Sequence, residues 1–391
     1  MKDIYIVDSL RTPFGSFGGA LSDVESPQLG GTVIKTLMER TDLEPAAINE
    51  VIIGQVLSGG VGQAPARQAM RYAGLSDSVH AMTINKVCGS GLKAIMLGAG
   101  SIALGDAETV IAGGMENMSL APYLLKKARY GYRMGHSELL DLMVYDGLQD
   151  PYTGKQMGEI AEHAAVRCGF TRAAQDEYAI RSYTLAQKAI NERIFEDEIV
   201  PVIKKTRKGE ETVNGDEEPF KVDIEKLKQL RPAFTKDGTI TAGNASTIND
   251  GAALSLLAGE TALVKYSLKP RARLVAYSTF SLSPDLFPDA PVGAIESVCD
   301  RAGMKISNID LFEINEAFSV VVLIAIKQLE LDLEKVNVNG GAVALGHPIG
   351  ASGGRLVATL IRELHRRQLR FGLATLCIGG GEAVAAIFEK V

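Results

Sequence analysis

The chain has 391 residues, 46% of them hydrophobic and 23% charged, and carries a net charge of −6. These figures suit two or three globular domains and exclude a globally disordered chain. The acidic balance argues against the basic face of a nucleic-acid binder; a local basic stretch, Lys204, Lys205, Arg207 and Lys208, either meets an anionic small substrate or is a solvated loop.

Four cysteines (Cys88, Cys168, Cys299 and Cys377) are widely separated and lack metal-ligand spacing, so no metal site is expected. Few cysteines, and a start that runs straight into a strand-like apolar stretch, predict a cytoplasmic protein with no leader. No apolar run reads as long enough to cross a bilayer, so no membrane association is expected.

In chain order, residues 4–7 and 51–53 are β-branched runs of buried-strand type, and 27–40 show helical spacing of apolar positions. Cys88-Gly89-Ser90-Gly91 opens a helix rich in small residues. A strand at 109–112 follows, then an expected glycine turn at Gly113-Gly114 before Glu116. Residues 119–245 are more charged: 131–150 reads as irregular, 172–191 as a long helix and 204–218 as a polar segment. The earlier order then returns. Residues 350–354 precede an apolar helix, a strand spans 372–376, and Gly379-Gly380-Gly381-Glu382 follows. The repetition predicts an α/β protein of two related halves, 1–118 and 246–391, separated by an inserted loop domain at 119–245.

The chemistry-bearing candidates lie in these glycine-rich frames. Cys88, at a turn into a helix, would have its thiol pKa lowered by the positive end of the helix dipole; taken alone it is equally read as a packed apolar cysteine. His347 is the one histidine of five set among glycines, and a histidine there can move a thiol proton near neutral pH. Cys377 ends a strand just before the glycine run, open to a cleft. If it faces Cys88, the two are candidates for a disulfide. Asn315 follows the apolar segment 311–314, where its amide can hold a water or donate to an oxyanion, or merely cap a turn.

Taken together, the segments NKVCGSG, NEAF, GHPIGASG and CIGGGE, in this order, resemble the four signature blocks of the thiolases. RTPFGSFGG, GQAPARQA, GGMENMSLAPY and AGNASTINDGAA extend the resemblance over nearly the whole chain. It implies a five-layered αβαβα thiolase-like fold of two duplicated α/β halves with an inserted loop domain. It also implies roles: Cys88 as acyl-accepting nucleophile, His347 as its base, and Cys377 as the group that moves the α-proton of the second acyl-CoA. Asn315 would hold a water that forms one oxyanion hole with His347, and the amides of Cys88 and Gly379 would form the other.

Coenzyme A contacts are implied at Leu148, Met157, Phe234, Ala242, Ser246, Ala317 and Phe318, with Phe287-Pro288 near the acyl pocket. Gln156 stands where short-chain members carry histidine. Phe220 offers no hydroxyl to a cation, so no potassium is assigned. The blocks resemble the acetoacetyl-CoA type, in which acetyl-CoA, acetoacetyl-CoA and CoA are substrates or products and no cofactor is resident. A 3-ketoacyl-CoA thiolase of β-oxidation is the alternative. Cysteine at 377 argues against a ketoacyl synthase, and the complete reactive set argues against a silent CoA-binding scaffold. The family is dimeric or tetrameric, and a homotetramer is expected.

Overall fold

The computed structural model describes residues 3–207 and 209–391. Lys208, the last member of the basic stretch, lies outside the described residues. The first half begins with β1 (Ile4–Arg11), the short β2 (Gly15–Ser16), α1 (Ser26–Thr41) and β3 (Glu50–Gly54). It continues through α2 (Pro65–Tyr72), β4 (His80–Ile84), α3 (Ser90–Leu104) and β5 (Thr109–Asn117). The insertion holds the ribbon β6 (Tyr123–Leu124) and β7 (Leu140–Asp141), then α4 (Met157–Cys168) and α5 (Arg172–Asn191). The hairpin β8 (Val202–Thr206) and β9 (Gly209–Val213) and the short α6 (Ile224–Leu227) complete it. After it come β10 (Asn249–Gly259), α7 (Glu260–Lys265), β11 (Ala272–Ser281), α8 (Ala290–Ala302) and β12 (Leu311–Ile314). The chain ends with α9 (Ser319–Leu329), α10 (Ala342–Leu345), α11 (Ser352–Arg366), β13 (Phe371–Ile378) and β14 (Glu382–Lys390).

The main sheet runs β12-β13-β14-β11-β1-β10-β5-β3-β4. It is two half-sheets of matching construction, joined where β1 meets β11 through Tyr5–Arg273 and Ile6–Ala272. In each half a parallel pair (β3–β5, β12–β13) continues into antiparallel neighbours (β5–β10–β1, β13–β14–β11). The apolar side chains collect in three main cores. One lies under α1 and α2, one under α8 and α9, and one between the half-sheets around α3 and α11. Layers of helix, sheet, helix pair, sheet and helix result.

The stretch Val87–Leu104 is apolar enough and long enough to cross a membrane, contrary to the reading that no run qualifies. Here α3 is apolar all round because it lies between two sheets, as a buried helix must be. It can approach α11 closely because Gly91 and Gly353 lack side chains. A Cβ on Gly353 would sit 2.2 Å from the Leu92 nitrogen.

Three expectations change. First, β10 pairs with β1 and β5, so it completes the N-terminal sheet; the boundary expected at 245/246 falls after Gly259. Second, β5 runs straight through Gly113-Gly114 instead of turning there. A Cβ on Gly114 would lie 1.8 Å from the Gly350 carbonyl oxygen, so glycine is required by close approach of another segment, not by a bend. Third, most of the polar segment 204–218 is ordered as the β8–β9 hairpin.

The insertion is fixed to the first half by a buried charge cluster. Arg11, 0% exposed, donates to Glu198 at 2.6 Å and to both oxygens of Asp216 at 2.7 and 2.8 Å. Asp216 also accepts from the Phe14 amide.

Candidate active site

Four chain segments converge where the two halves and the insertion meet. Cys88 sits in the turn between β4 and α3, preceded by Val87 at φ 45°, a left-handed conformation rare for a β-branched residue. The turn is held by local bonds: Lys86 N–H to Ser90 Oγ (2.8 Å), Ser90 Oγ–H to Val87 O (2.7 Å) and Val87 N–H to Asn85 Oδ1 (2.9 Å). Lys86 also reaches Glu382, at the start of β14, at 2.5 Å, joining this turn to the glycine turn of the other half.

Asn315 follows β12, its amide bonded to Thr375 O of β13 at 3.0 Å. His347 lies in the loop between α10 and α11, its amide bonded to Asn249 Oδ1 at 2.9 Å. Cys377 is buried near the end of β13, and Gly379 opens the turn after it.

A cavity of about 300 Å³ is lined by Cys88, His347, Cys377 and Gly379 together with a mainly apolar wall. Six of the seven residues implied for coenzyme A line it: Leu148, Met157, Phe234, Ser246, Ala317 and Phe318. Ala242 does not. The turn closed by Thr241 N–H to Asn244 Oδ1 (2.8 Å) leaves Ala242 exposed, and the chain then enters the wall at Ala245, which bridges to Phe318.

Gln156 and Phe287 line the cavity; Pro288 does not. Met118, Met143, Val144 and Ile349 also contribute. They are ordinary apolar residues, and only the tertiary fold brings them here. Asn315 is fully buried behind His347, its Nδ2 3.5 Å from His347 Nε2 and its Oδ1 without a protein partner. Phe220 is exposed on the surface, far from forming part of this wall. All four cysteines are free thiols. Among the described residues no cluster of His, Cys, Asp and Glu is arranged to hold a metal ion.

The electrostatics differ from the sequence-based expectation of a lowered Cys88 pKa. Burial pushes the Cys88 thiol up to about 11, with Glu116 adding to the rise; the backbone N–H groups of Gly379 and of Cys88 itself pull the other way. Cys377 is pushed up by burial and by the neighbouring Cys88. His347 is pushed down to about 3, first by burial and then by the Arg355 guanidinium. The resting pair is therefore neutral thiol and neutral imidazole, because separated charges are costly in a dry cavity.

The tautomer of that imidazole follows from its partner. Assigning the single Ser352 Oγ proton to Pro348 O, 2.9 Å away, makes Oγ the acceptor at its 2.5 Å contact with His347 Nδ1. The ring proton is thus assigned to Nδ1, leaving Nε2 with a lone pair on the Asn315 side. This arrangement can take a proton from a thiol, hold an acyl group on sulfur, and present two backbone N–H groups near that sulfur to a developing oxyanion.

Comparisons with known proteins agree with this picture. The N-terminal domain model of thiolase matches residues 4–261 and the C-terminal domain model matches 268–390. An acetyl-CoA acetyltransferase of Pseudomonas aeruginosa is 49% identical over 392 residues, covering all of both chains. A probable acetyl-CoA acyltransferase of Staphylococcus aureus strain COL is 47% identical, again over the full length of both. The crystal structure of the Bacillus anthracis acetyl-CoA acetyltransferase superposes with a TM-score of 0.98 at 43% identity, covering 100% of this chain and 99% of that one.

Proposed function

This chain belongs to the thiolase family, and from that premise we propose that it is an acetyl-CoA C-acetyltransferase. It condenses two acetyl-CoA to acetoacetyl-CoA and CoA, and runs in reverse as thiolysis. The observation that carries the reading is the convergence of Cys88, His347, Cys377 and the Gly379 backbone on one apolar cavity. The full-length likeness to proteins named for this activity supports it.

In the condensing direction His347 Nε2 takes the Cys88 proton as sulfur attacks the acetyl carbonyl, and returns it to the departing CoA sulfur. The amides of Cys88 and Gly379 bind the oxyanion. Cys377 then passes its own proton to His347 Nε2, and the resulting thiolate removes a methyl proton from the second acetyl-CoA while the enolate oxygen accepts from His347 Nε2–H and a water on Asn315. The carbanion attacks the acetyl carbonyl, and the Cys88 sulfur leaves as thiolate. The proton on His347 Nε2 then returns to Cys88, and Cys377 keeps the methyl proton as its thiol, restoring all three groups. Leu148, Met157, Phe234, Ser246, Ala317 and Phe318 bind coenzyme A, with Ser246 on the pantetheine arm. Coenzyme A is substrate and product, and the reading assigns no resident cofactor or metal.

Phe287 and Phe234 each pack against Phe318, at centroid distances of 6.4 and 6.0 Å, so aromatic rings narrow the cavity, which supports a short acyl chain. A homotetramer or homodimer is supported by the exposed apolar residues between β6 and β7, where Met134 is 99% exposed, and by the one-sided pairing of β4. Free thiols fit a cytoplasmic enzyme, and acetoacetyl-CoA chemistry fits fatty acid metabolism.

The test is CoA-dependent loss of the enolate absorbance of acetoacetyl-CoA, beside 3-ketohexanoyl- and 3-ketohexadecanoyl-CoA, for the wild type and Cys88→Ala. Cleavage confined to acetoacetyl-CoA and abolished by the substitution is expected. Efficient cleavage of the long chains would move the enzyme to the β-oxidation class, and no cleavage by folded protein would overturn the thiolase activity.

A further inference from the structure

Glu116 lies in β5, fully buried, beside the nucleophile but outside the reactive set. Its carboxylate accepts three backbone N–H groups from two segments: Val56 at 3.0 Å and Gly350 at 2.9 Å on Oε2, and Leu57 at 3.0 Å on Oε1. No side-chain cation pairs with it among the described residues. A buried carboxylate held only by peptide donors is a costly arrangement unless it fixes the peptides concerned.

Those peptides matter. Val56 and Leu57 pack with Ile349 in the small core that also receives Val87 and Cys88. Gly350 is three residues after His347 and two before Ser352. Its position leaves no slack: a Cβ there would lie 2.7 Å from Glu116 Oε2, 2.9 Å from Met115 O and 3.0 Å from Gly54 O. The carboxylate therefore ties the loop carrying His347, which belongs to the C-terminal half, to the strand ends of the half carrying Cys88.

We propose that Glu116 is a positioning residue for acyl transfer: by accepting from three backbone amides it holds the His347 loop in register with Cys88 across the junction of the halves. It touches no substrate. This rests on the acetyltransferase reading and deepens it. A displacement of about 1 Å between nucleophile and base is enough to cost on the order of 100-fold in rate. Burial raises the Glu116 carboxyl to about 7 against the pull of its three amides, and its ionised form opposes a second anion on Cys88, so charge and geometry have separable signatures.

The experiment compares wild type with Glu116→Gln in two assays. Thiolysis of acetoacetyl-CoA yields kcat and KM, and alkylation by iodoacetamide without any CoA compound, followed by mass spectrometry on the peptide carrying Cys88, separates that thiol from the other three free cysteines. In the Gln variant kcat is expected to fall about 100-fold. KM for acetoacetyl-CoA should stay within about threefold, since the cavity wall is untouched, while Cys88 is alkylated as fast as in wild type or faster. An unchanged kcat would overturn the proposal, as would slower alkylation with a risen KM, which marks general disruption.

Where the Gln variant is recovered only as aggregate, Glu116→Asp serves. It keeps the charge and withdraws it by one methylene, so the same split of lowered kcat and held KM is expected, and an unchanged kcat overturns the proposal. If wild type cleaves no 3-ketoacyl-CoA, the acetyltransferase reading fails on its own. The alkylation comparison still reports whether Glu116 acts on the nucleophile.

Discussion

His347 Nδ1 and Ser352 Oγ meet at 2.5 Å across the turn into α11, with Pro348 O 2.9 Å from the same hydroxyl. The first turn of a helix thus decides which nitrogen of the base is free. Ser352→Ala removes the acceptor that holds the ring, and the imidazole can then rotate or exchange tautomers. Thiolysis should slow roughly 100-fold with little change in KM. Ser352→Thr, which keeps the hydroxyl, should recover most of the rate. Equal rates for the Ala variant and wild type would remove the serine from the mechanism.

The two cysteines divide the reaction. Cys377→Ala leaves Cys88, His347 and the Gly379 amide in place, so exchange of labelled CoA into acetyl-CoA should continue through the acyl-enzyme. Condensation and thiolysis should fall by at least about 100-fold, because nothing positioned moves the carbon-bound proton. Loss of exchange along with condensation would mean that Cys377 is needed for acylation itself.

The thiol pKa sets a pH profile. With the Cys88 pKa raised to about 11, the free enzyme holds thiol at neutral pH, and the thiolate fraction grows as pH rises. Alkylation by iodoacetamide should climb about tenfold per pH unit between 8 and 10, with no plateau below. A plateau reached by pH 8 would show a thiolate stabilised in the resting site. His347, depressed to about 3, should add no inflection near pH 6.5 to the acid limb of kcat/KM.

Arg11 balances two buried carboxylates, Glu198 and Asp216. Arg11→Met leaves both without their cation and should cost about 3–5 kcal/mol, read as a lowered denaturant midpoint. The triple change to Met at 11 with Gln at 198 and Asn at 216 should recover part of that loss. Stability unchanged in the single variant would mean that the cluster exchanges its charges with water.

The glycine-framed residues were legible because their chemistry depends on local context: a turn into a helix at Cys88, a loop at His347, a strand end at Cys377. The long helix at 172–191 and the strand at 311–314 were likewise set by local periodicity. What stayed hidden was nonlocal. Gly113-Gly114 looks like a turn in one dimension and is a strand in three, because the segments that crowd them, at Ala253 and Gly350, lie 140 and 236 positions away. Ser352 and Glu116 are unremarkable residue types, whose roles depend on a carbonyl and three amides that no spacing reveals. Ala242 and Ala245 are separated only by the course of one turn.

The pairing of β1 with β10 has a consequence for the order in which the molecule can be made. Ile4 finds its partner at Gly259, so the N-terminal sheet cannot close while the ribosome is still producing the insertion. The strands β3, β4 and β5 can assemble early with α3, but β1, whose neighbours are the later β10 and β11, waits with both edges open, and the insertion must take shape inside a loop that is not yet closed. The entropy of that closure falls at a single late step, so the folding rate should be limited by docking of 249–259 between two strands already present. Synthesis arrested just before residue 249 should leave a species with exposed edges that recruits chaperones, and release a few tens of residues later should not.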